Sequence, residues 1–513
     1  MKKSSVAKST IIVVIITIIS KIIGAFRDVL ISYKFGVSVQ TDAYKLAISI
    51  PDVIFTIIGL AISTAFIPML SKIYVHEGRK RMNEFASKII NILVIIAMVI
   101  FIIGIIFPEK VVSLIASKNI DNITLLTTVK LTKIVLINII FLVINACFVA
   151  ILQVHEDFVV PNILGLFFNL PIILYMLFAN EFNIYGLTIA NVFGNIFRVL
   201  VQIPRLKKNG FRYSFLFELR DDKIKKFFLI IIPVTIGASA NSLNLVIDKR
   251  IASSLGNGVV TTLDNAQLLI NVLTNLALTS ISSVIYPVLV NKLNEKNQKT
   301  YSKLINKTLV YLGILLIPIS FGAVIYGKEI IEIVYLRGEY TLEAAHLTVL
   351  AFWGYSIGIF FTGVRDLLNS SFFSMGKTKI TAKVSVVGVV FNIILSITLS
   401  KFMGIIGIAI ASSLAMVVVS VLLCIYTKKE DVSVNFNGMI FKFIKIFVAS
   451  IIMSIILLVL KNIINDFNSI IMLIIGVIIG VIVYLICLIQ FKVNEINELI
   501  DLVRRRRKWK YYL

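Results

Sequence analysis

The sequence predicts an all-α polytopic membrane protein of about 14 transmembrane helices, arranged as two six-helix lobes plus two C-terminal helices. Three observations predict it. Of the 513 residues, 58% are hydrophobic and 15% charged, against about 45–50% and 25% in soluble domains. Apolar runs of ~18 residues or more recur along the whole chain, centred near residues 21, 57, 97, 140, 170, 195, 240, 278, 316, 357, 391, 415, 450 and 479. Helices apolar all round leave no polar outer layer for a soluble protein. Most of the 51 Lys and Arg lie in the two tails and in alternate connections: Lys72 to Lys88, Arg205 to Lys226, Lys292 to Lys307 and Lys377 to Lys383. This positive-inside pattern places both termini in the cytoplasm, as an even number of spans requires. It also assigns the net charge of +24 to membrane orientation rather than to nucleic acid.

Span one follows Lys2 and Lys3 and runs from Ile11. It resembles a signal peptide, but no small-residue cleavage site follows, so it is expected to be retained. Lys21 lies on the order of 18 Å along its axis, near the bilayer centre. Leaving that ammonium in hydrocarbon would cost about 2.5–3.5 kcal/mol. Ser20, Lys21, Gly24, Arg27 and Asp28 share an arc of roughly 100°. On span two, Asp42, Lys45, Ser49, Asp52, Thr56, Gly59 and Ser63 form a second stripe at alternating three- and four-residue steps. A charged face within an apolar helix turns toward protein or water. Two readings stay open. Asp28, Asp42 and Asp52 either neutralise Lys21, Arg27 and Lys45 and lock the helices, or leave those cations able to hold an anionic headgroup.

Further along, Lys130, Lys133, Arg198, Lys249, Arg250, Arg365 and Lys445 also fall within spans, and Lys133, Arg198 and Lys445 are expected to snorkel to an interface. Asp248, Lys249 and Arg250 are candidates for gating or charge tuning. The Glu156-Asp157 turn reads as a solvated acidic turn or a cytoplasmic gate. On span eight, Asp264, Gln267, Asn271, Thr274, Asn275 and Ser282 share one arc, with Asn271 and Asn275 the candidates for contact with substrate. Such a face suits sugars and peptide groups, and equally serves as packing glue. Pro51, Pro171, Pro233 and Pro318 are expected to supply kinks.

The chain repeats itself. Arg27-Asp28 before Phe35-Gly36 corresponds to Asp248-Lys249-Arg250 before Leu255-Gly256. Ala65-Phe66-Ile67-Pro68 corresponds to Val284-Ile285-Tyr286-Pro287, and Phe168-Asn169 to Phe391-Asn392. Tyr185-Gly186-Leu187 corresponds to Ile406-Gly407-Ile408. Four matches in order predict parallel repeats, with the substrate site between the halves. The expected domains are an N-terminal lobe (1–222), a C-terminal lobe (223–430), spans thirteen and fourteen (431–491) and a basic cytoplasmic tail (492–513). In that tail, Arg504 to Lys508 with Trp509 either rest on anionic headgroups or stay solvated.

Little here suits an enzyme. The outer connections Pro108–Asp121 and Gly327–Leu342 are short and hold no convergent acid/base set, and His76, His155 and His346 are scattered. Gly376-Lys377-Thr378 lacks the upstream glycine of a phosphate-binding loop. Cys147, Cys424 and Cys487 are isolated in apolar segments and read as packing residues. No metal and no cofactor are expected.

The stretch Ser20-Lys21-Ile22-Ile23-Gly24-Ala25-Phe26-Arg27-Asp28, with Phe35-Gly36, Thr41-Asp42-Ala43-Tyr44, Pro51 and Ala65-Phe66-Ile67-Pro68, resembles the opening of the MurJ (MviN) lipid II flippases. Val246-Ile247-Asp248, Ile285-Tyr286-Pro287, Leu336-Arg337-Gly338-Glu339-Tyr340-Thr341 and Tyr355-Ser356-Ile357-Gly358 extend the likeness along the chain. That family belongs to the multidrug/oligosaccharidyl-lipid/polysaccharide exporter superfamily. The resemblance implies a two-lobed bundle with a cationic cavity that binds the diphosphate of an undecaprenyl-linked precursor, and a groove at the last two helices for the lipid tail. It implies a multi-pass protein of the bacterial cytoplasmic membrane, with lipid II and membrane lipids as partners. Cell-wall synthesis enzymes are candidate neighbours, and a monomer is the expected state.

By position Arg27 matches a cavity arginine, Asp28 and Asp42 match acids, and Lys21 stands where arginine is usual, keeping charge but losing the bidentate fork. Two departures stand out: Phe55-Thr56 replaces an arginine pair, and Leu268 follows Ala266-Gln267 where arginine is usual. Lys45, Lys249 or Arg250 are candidates to supply the missing charge. The alternatives are an exporter of another lipid-linked unit, such as a capsule or O-unit repeat, then a membrane glycan polymerase or a multidrug exporter. Lys21, Arg27 and Lys45 would repel cationic drugs.

Overall fold

The computed structural model describes residues 3–179, 181–218, 220–275, 298–429, 436–464, 467–493 and 495–496. The described residues form helices and connections, with no strand among them. In order they are α1 (Lys3–Phe35), α2 (Val39–Ala61), a π-helical turn (Ile62–Phe66), α3 (Ile67–Ile106), α4 (Pro108–Ile115), α5 (Asn122–Val135), α6 (Asn138–Val154), α7 (Val159–Phe178), α8 (Ile184–Leu200), α9 (Ile203–Lys208) and α10 (Asp222–Ala252). Helix α11 is described over 259–275. Then come α12 (Gln298–Ile325), α13 (Gly327–Tyr335), α14 (Leu342–Ser356), α15 (Ile359–Ser374), α16 (Thr378–Met403), α17 (Ile405–Lys429), α18 (Phe436–Ile463) and α19 (Ser469–Gln490). The Tyr286-Pro287 match, Ser282 and the Arg504–Lys508 tail lie outside the described residues.

Among the described residues, 8 helical stretches are long and apolar enough to cross a membrane, or 10 if each of two bent pairs is one span. The stretch Val39–Ile106 covers 68 residues. A straight helix of that length would run about 100 Å, three times the ~30 Å hydrocarbon core. It is broken at Gly78, whose φ of 84° and ψ of 174° leave the helical region, so it supplies two crossings. These numbers are consistent with the expected fourteen. The π-helical turn directly precedes Pro68, which has no N–H to offer the carbonyl one turn earlier, so the ladder loosens there.

The chain divides into two compact units: Met1–Thr261 with Gly338–Thr341, and Thr262–Arg337 with Leu342 onward. The first unit therefore includes α10 and the start of α11. Its larger core gathers Phe66, Leu70, Phe85, Ile89, Cys147 and Phe227, with Phe66 edge-on to Phe227 at 5.8 Å. A second core holds Ile31, Tyr44, Leu131, Ile172 and Leu187. Segment Gly338–Thr341 docks on the end of α1, where the Glu339 N–H donates to the Tyr33 carbonyl at 3.0 Å. Gly36 and Gly338 both have positive φ, and any side chain at either would strike the facing backbone. Residues 211–218 and 220–221 lie along α3. Asn91 Nδ2 donates to the Leu216 carbonyl at 2.8 Å, and Lys88 bridges Glu218 (2.6 Å) and Asp221 (3.0 Å). Burial alone would raise the Asp221 carboxyl, but its bonds to Lys88 and the Lys223 N–H hold it below the usual carboxylate range.

In the second unit α16 and α17 form a close hairpin through Gly404, at φ 60°. Helices α18 and α19 pack through Gly480, where a Cβ would stand 3.2 Å from Leu457. Tyr484 Oη donates to the Ile314 carbonyl at 2.8 Å and ties α19 to α12. The other faces of α18 and α19 expose Ile455, Val459, Ile474, Ile478, Ile482 and Ile489. Only lipid is a suitable solvent for such a surface.

Candidate functional site

Helix α1 meets α7 along a face of small and hydroxylated residues. Thr17 Oγ1 donates to Asn162 Oδ1 at 2.9 Å and Ser20 Oγ to the Asn162 carbonyl at 3.0 Å. A Cβ on Gly165 would stand 3.1 Å from Ser20. Thr17, Ser20, Gly24 and Arg27 recur at three- and four-residue steps, so a single face of α1 makes this contact. The zipper ends in charge: Arg27 Nη1 donates to Asn169 Oδ1 at 2.9 Å. Asn169 Nδ2 donates to the Gly165 carbonyl at 2.8 Å, which turns the amide oxygen toward the guanidinium.

Asp28 is the hub. Its Oδ2 accepts from Arg27 Nη2 at 2.9 Å and its Oδ1 from Lys45 Nζ, reaching over from α2, at 3.3 Å. The three side chains are 19%, 8% and 10% exposed for Arg27, Asp28 and Lys45. One carboxylate thus serves two cations, and Arg27 Nε is buried without a hydrogen-bond partner. A buried guanidinium nitrogen without an acceptor is costly unless an incoming anion supplies one.

A third cation comes from α8. The Arg198 guanidinium stands 4.3 Å from the Phe168 ring centroid, and that of Arg27 stands 5.4 Å from the same centroid. Arg198 was expected to snorkel, but its side chain turns inward. Local packing decides this: a Cβ at Gly194 would overlap the Phe168 carbonyl, so glycine lets α8 approach α7 closely. Arg198 lies one turn further along the same face. Arg198 Nη1 donates to Asn195 Oδ1 at 3.3 Å, and Asp52 acts electrostatically on both arginines. Spacing on α8 alone could have flagged Gly194 and Arg198, but not the ring they share.

Beside the cations lies a buried neutral network. Asn138 Nδ2 donates to Asn191 Oδ1 at 2.9 Å, and Asn191 Nδ2 donates to Tyr44 Oη at 3.1 Å. It holds α2, α6 and α8 together at a polar core position where a lost partner would be costly.

The other predicted residues fall elsewhere. Asp42 is not with the cations. Its Oδ1 accepts from the Thr261 N–H (2.8 Å) and Thr261 Oγ1 (2.6 Å), and its Oδ2 accepts from the Gly258 N–H at 2.6 Å. It anchors the loop that opens α11, where Gly256 and Gly258 have φ of 140° and 85°. Lys249 Nζ reaches the Lys45 carbonyl at 3.3 Å, Asp248 is buried nearby in sequence, and Arg250 makes no ion pair among the described residues. Lys21 is exposed on α1 and likewise forms no ion pair among the described residues. Asp52 and Thr56 are exposed, so the α2 stripe is packed up to Ser49 and open beyond it. Asn271, which accepts from Gln267 at 3.2 Å, and Asn275 lie on α11 in the second unit.

The chain matches the family model described as lipid II flippase MurJ over residues 31–478. It is 29% identical over 416 residues to a probable lipid II flippase MurJ of Buchnera aphidicola subsp. Baizongia pistaciae, covering 80% of this chain and 81% of that protein. It is 25% identical over 441 residues to the protein of the same description from Treponema pallidum, covering 83% of each. Among solved structures it resembles a lipid II flippase MurJ in an inward closed conformation, with a TM-score of 0.81 and 25% identity, over 96% of this chain and 100% of that one. The fold is also shared with an inward-facing multidrug resistance MATE family transporter of the MOP superfamily, with a TM-score of 0.67 and 12% identity, over 82% of this chain and 98% of that one.

Proposed function

The chain belongs to the lipid II flippase MurJ family, and we propose that it carries lipid II from the inner to the outer leaflet of the bacterial cytoplasmic membrane. It is a multi-pass membrane transporter rather than an enzyme. The observation that carries the reading is the buried cluster of Arg27, Asp28 and Lys45. A diphosphate needs paired cationic donors in a low-dielectric site, and a guanidinium is suited to it. Those donors must also survive without substrate. Asp28 meets that need by holding both cations in the empty site and yielding them when a stronger anion enters. Asp52 and Lys249 tune the charge around it, Lys21 draws the headgroup from the exposed face of α1, and Asn271 and Asn275 contact its sugar or peptide part.

Movement follows alternating access. The excess of Lys and Arg in alternate connections supports cytoplasmic termini, and cell-wall synthesis enzymes are the expected neighbours of a monomeric protein. The test is complementation of cells depleted of their own lipid II flippase, with surface labelling of lipid II. The wild-type chain is expected to restore labelling, and Arg27→Ala to fail at unchanged membrane abundance. Full activity of Arg27→Ala would overturn the diphosphate role.

A further inference from the structure

We infer that Arg198 is the second guanidinium of the anion site, engaging a diphosphate together with Arg27 and thereby setting its preference over a monophosphate. The inference rests on the transport reading above and extends it to a residue on α8.

Four observations lead there. Arg198 and Arg27 address one ring, Phe168, at 4.3 and 5.4 Å from its centroid, so their guanidinium carbons lie within about 10 Å of each other. A diphosphate with a charge-assisted hydrogen bond of ~2.8 Å at either end can bridge that span. Arg198 forms no ion pair among the described residues, and its one hydrogen bond, to Asn195 Oδ1, leaves most of its five N–H donors unengaged. Those donors are not sealed: Arg27 Nε is a buried orphan, whereas no Arg198 nitrogen is. They are therefore open to an incoming ligand. Finally, Asp52 acts on both arginines, and Asp28 is shared by Arg27 and Lys45.

Two guanidiniums side by side repel, and an anion between them relieves that repulsion. Gly194 makes the arrangement possible, since any side chain there would push α8 off α7 and carry Arg198 away from the ring. The device is thus built from backbone contact, aromatic plate and paired charge.

The test uses the full chain in lipid nanodiscs with undecaprenyl diphosphate and undecaprenyl monophosphate as probes, and native mass spectrometry to read bound lipid. Wild type is expected to prefer the diphosphate. Arg198→Gln is expected to weaken diphosphate binding about tenfold or more, the scale of a lost charged hydrogen-bond pair. Monophosphate binding should stay within about twofold. Arg198→Lys is expected to recover part of the preference, because it restores charge without the fork. Arg27→Gln should weaken both lipids. A folded Arg198→Gln protein with wild-type preference would overturn the role of Arg198 and leave the transport reading intact. Wild-type protein that binds neither lipid would overturn both. If Arg198→Gln does not fold, Arg198→Lys carries the test, and an undiminished preference in that variant would refute a bidentate contribution.

Discussion

The bent spans of the two units share a backbone and differ in chemistry. In the first unit α5 and α6 meet at 43°, and in the second α14 and α15 meet at 47°, at corresponding points of the sequence repeat. The polar side chains beside the two breaks do different work. Beside the second bend, Ser413 Oγ donates to the Gly354 carbonyl at 2.7 Å, and Ser413 fits against Gly358. Beside the first, Asn138 opens the network through Asn191 to Tyr44, which adjoins the cations. The repeated asparagines diverge in the same way. Asn169 accepts from Arg27, whereas Asn392 donates to Ser412 Oγ at 3.0 Å. Repetition therefore preserved the helix-bending device, while the partners of the repeated asparagines changed from a cation to a hydroxyl.

Exchanging the asparagines' roles breaks this comparison most sharply. Asn169→Leu is expected to cut complementation at least tenfold by freeing Arg27, while Asn392→Leu leaves transport within about twofold and lowers stability by about 1 kcal/mol. Equal loss of transport in both would show that the two units share the chemistry. Next in size, Asp42→Ala strips three hydrogen bonds from the opening of α11 and is expected to cost about 2–4 kcal/mol, read as a lower thermal unfolding temperature in detergent. A variant that is inactive but as stable as wild type would move Asp42 from architecture to transport.

The repeated glycines sharpen the comparison at smaller scale. A Cβ on Gly407 would meet the rigid Leu399 carbonyl, whereas one on Gly186 would meet the Tyr175 hydroxyl, the end of a side chain. Gly407→Ala should cost about 1–3 kcal/mol and Gly186→Ala about half of that; unfolding temperatures in the reverse order would show that α8 is the less yielding contact. The smallest effect is expected at Leu268, where alanine should leave complementation within about twofold, since one apolar side chain replaces another there. A tenfold loss there would extend the substrate surface proposed at Asn271 and Asn275 to Leu268.

Much of the fold was legible because membrane solvation acts residue by residue. Hydrocarbon demands long apolar helices, so composition and run length announced the architecture, and the alternating three- and four-residue steps announced which face of α1 and of α2 is polar. Arg27, Asp28 and Lys45 could be singled out on that basis. Asp42 shared the stripe with Lys45 but serves α11, because its partners are backbone N–H groups more than two hundred residues away, and no periodicity on α2 reports them.

Arg198 shows the same limit from the other side. Its position near one end of a span reads as a snorkelling site, and only the close approach of α7 and α8 at Gly194 turns it onto Phe168. The extent of the first unit, which reaches Thr261 and takes in Gly338–Thr341, was likewise set by packing rather than by the count of spans. That this protein is a bundle of membrane helices with polar faces follows from its residues alone, since burial in lipid is a property of each segment. Which polar groups meet was decided by the tertiary structure, because a hydrogen bond or ion pair depends on the distance between two helices, and that distance is fixed by small residues at their contact.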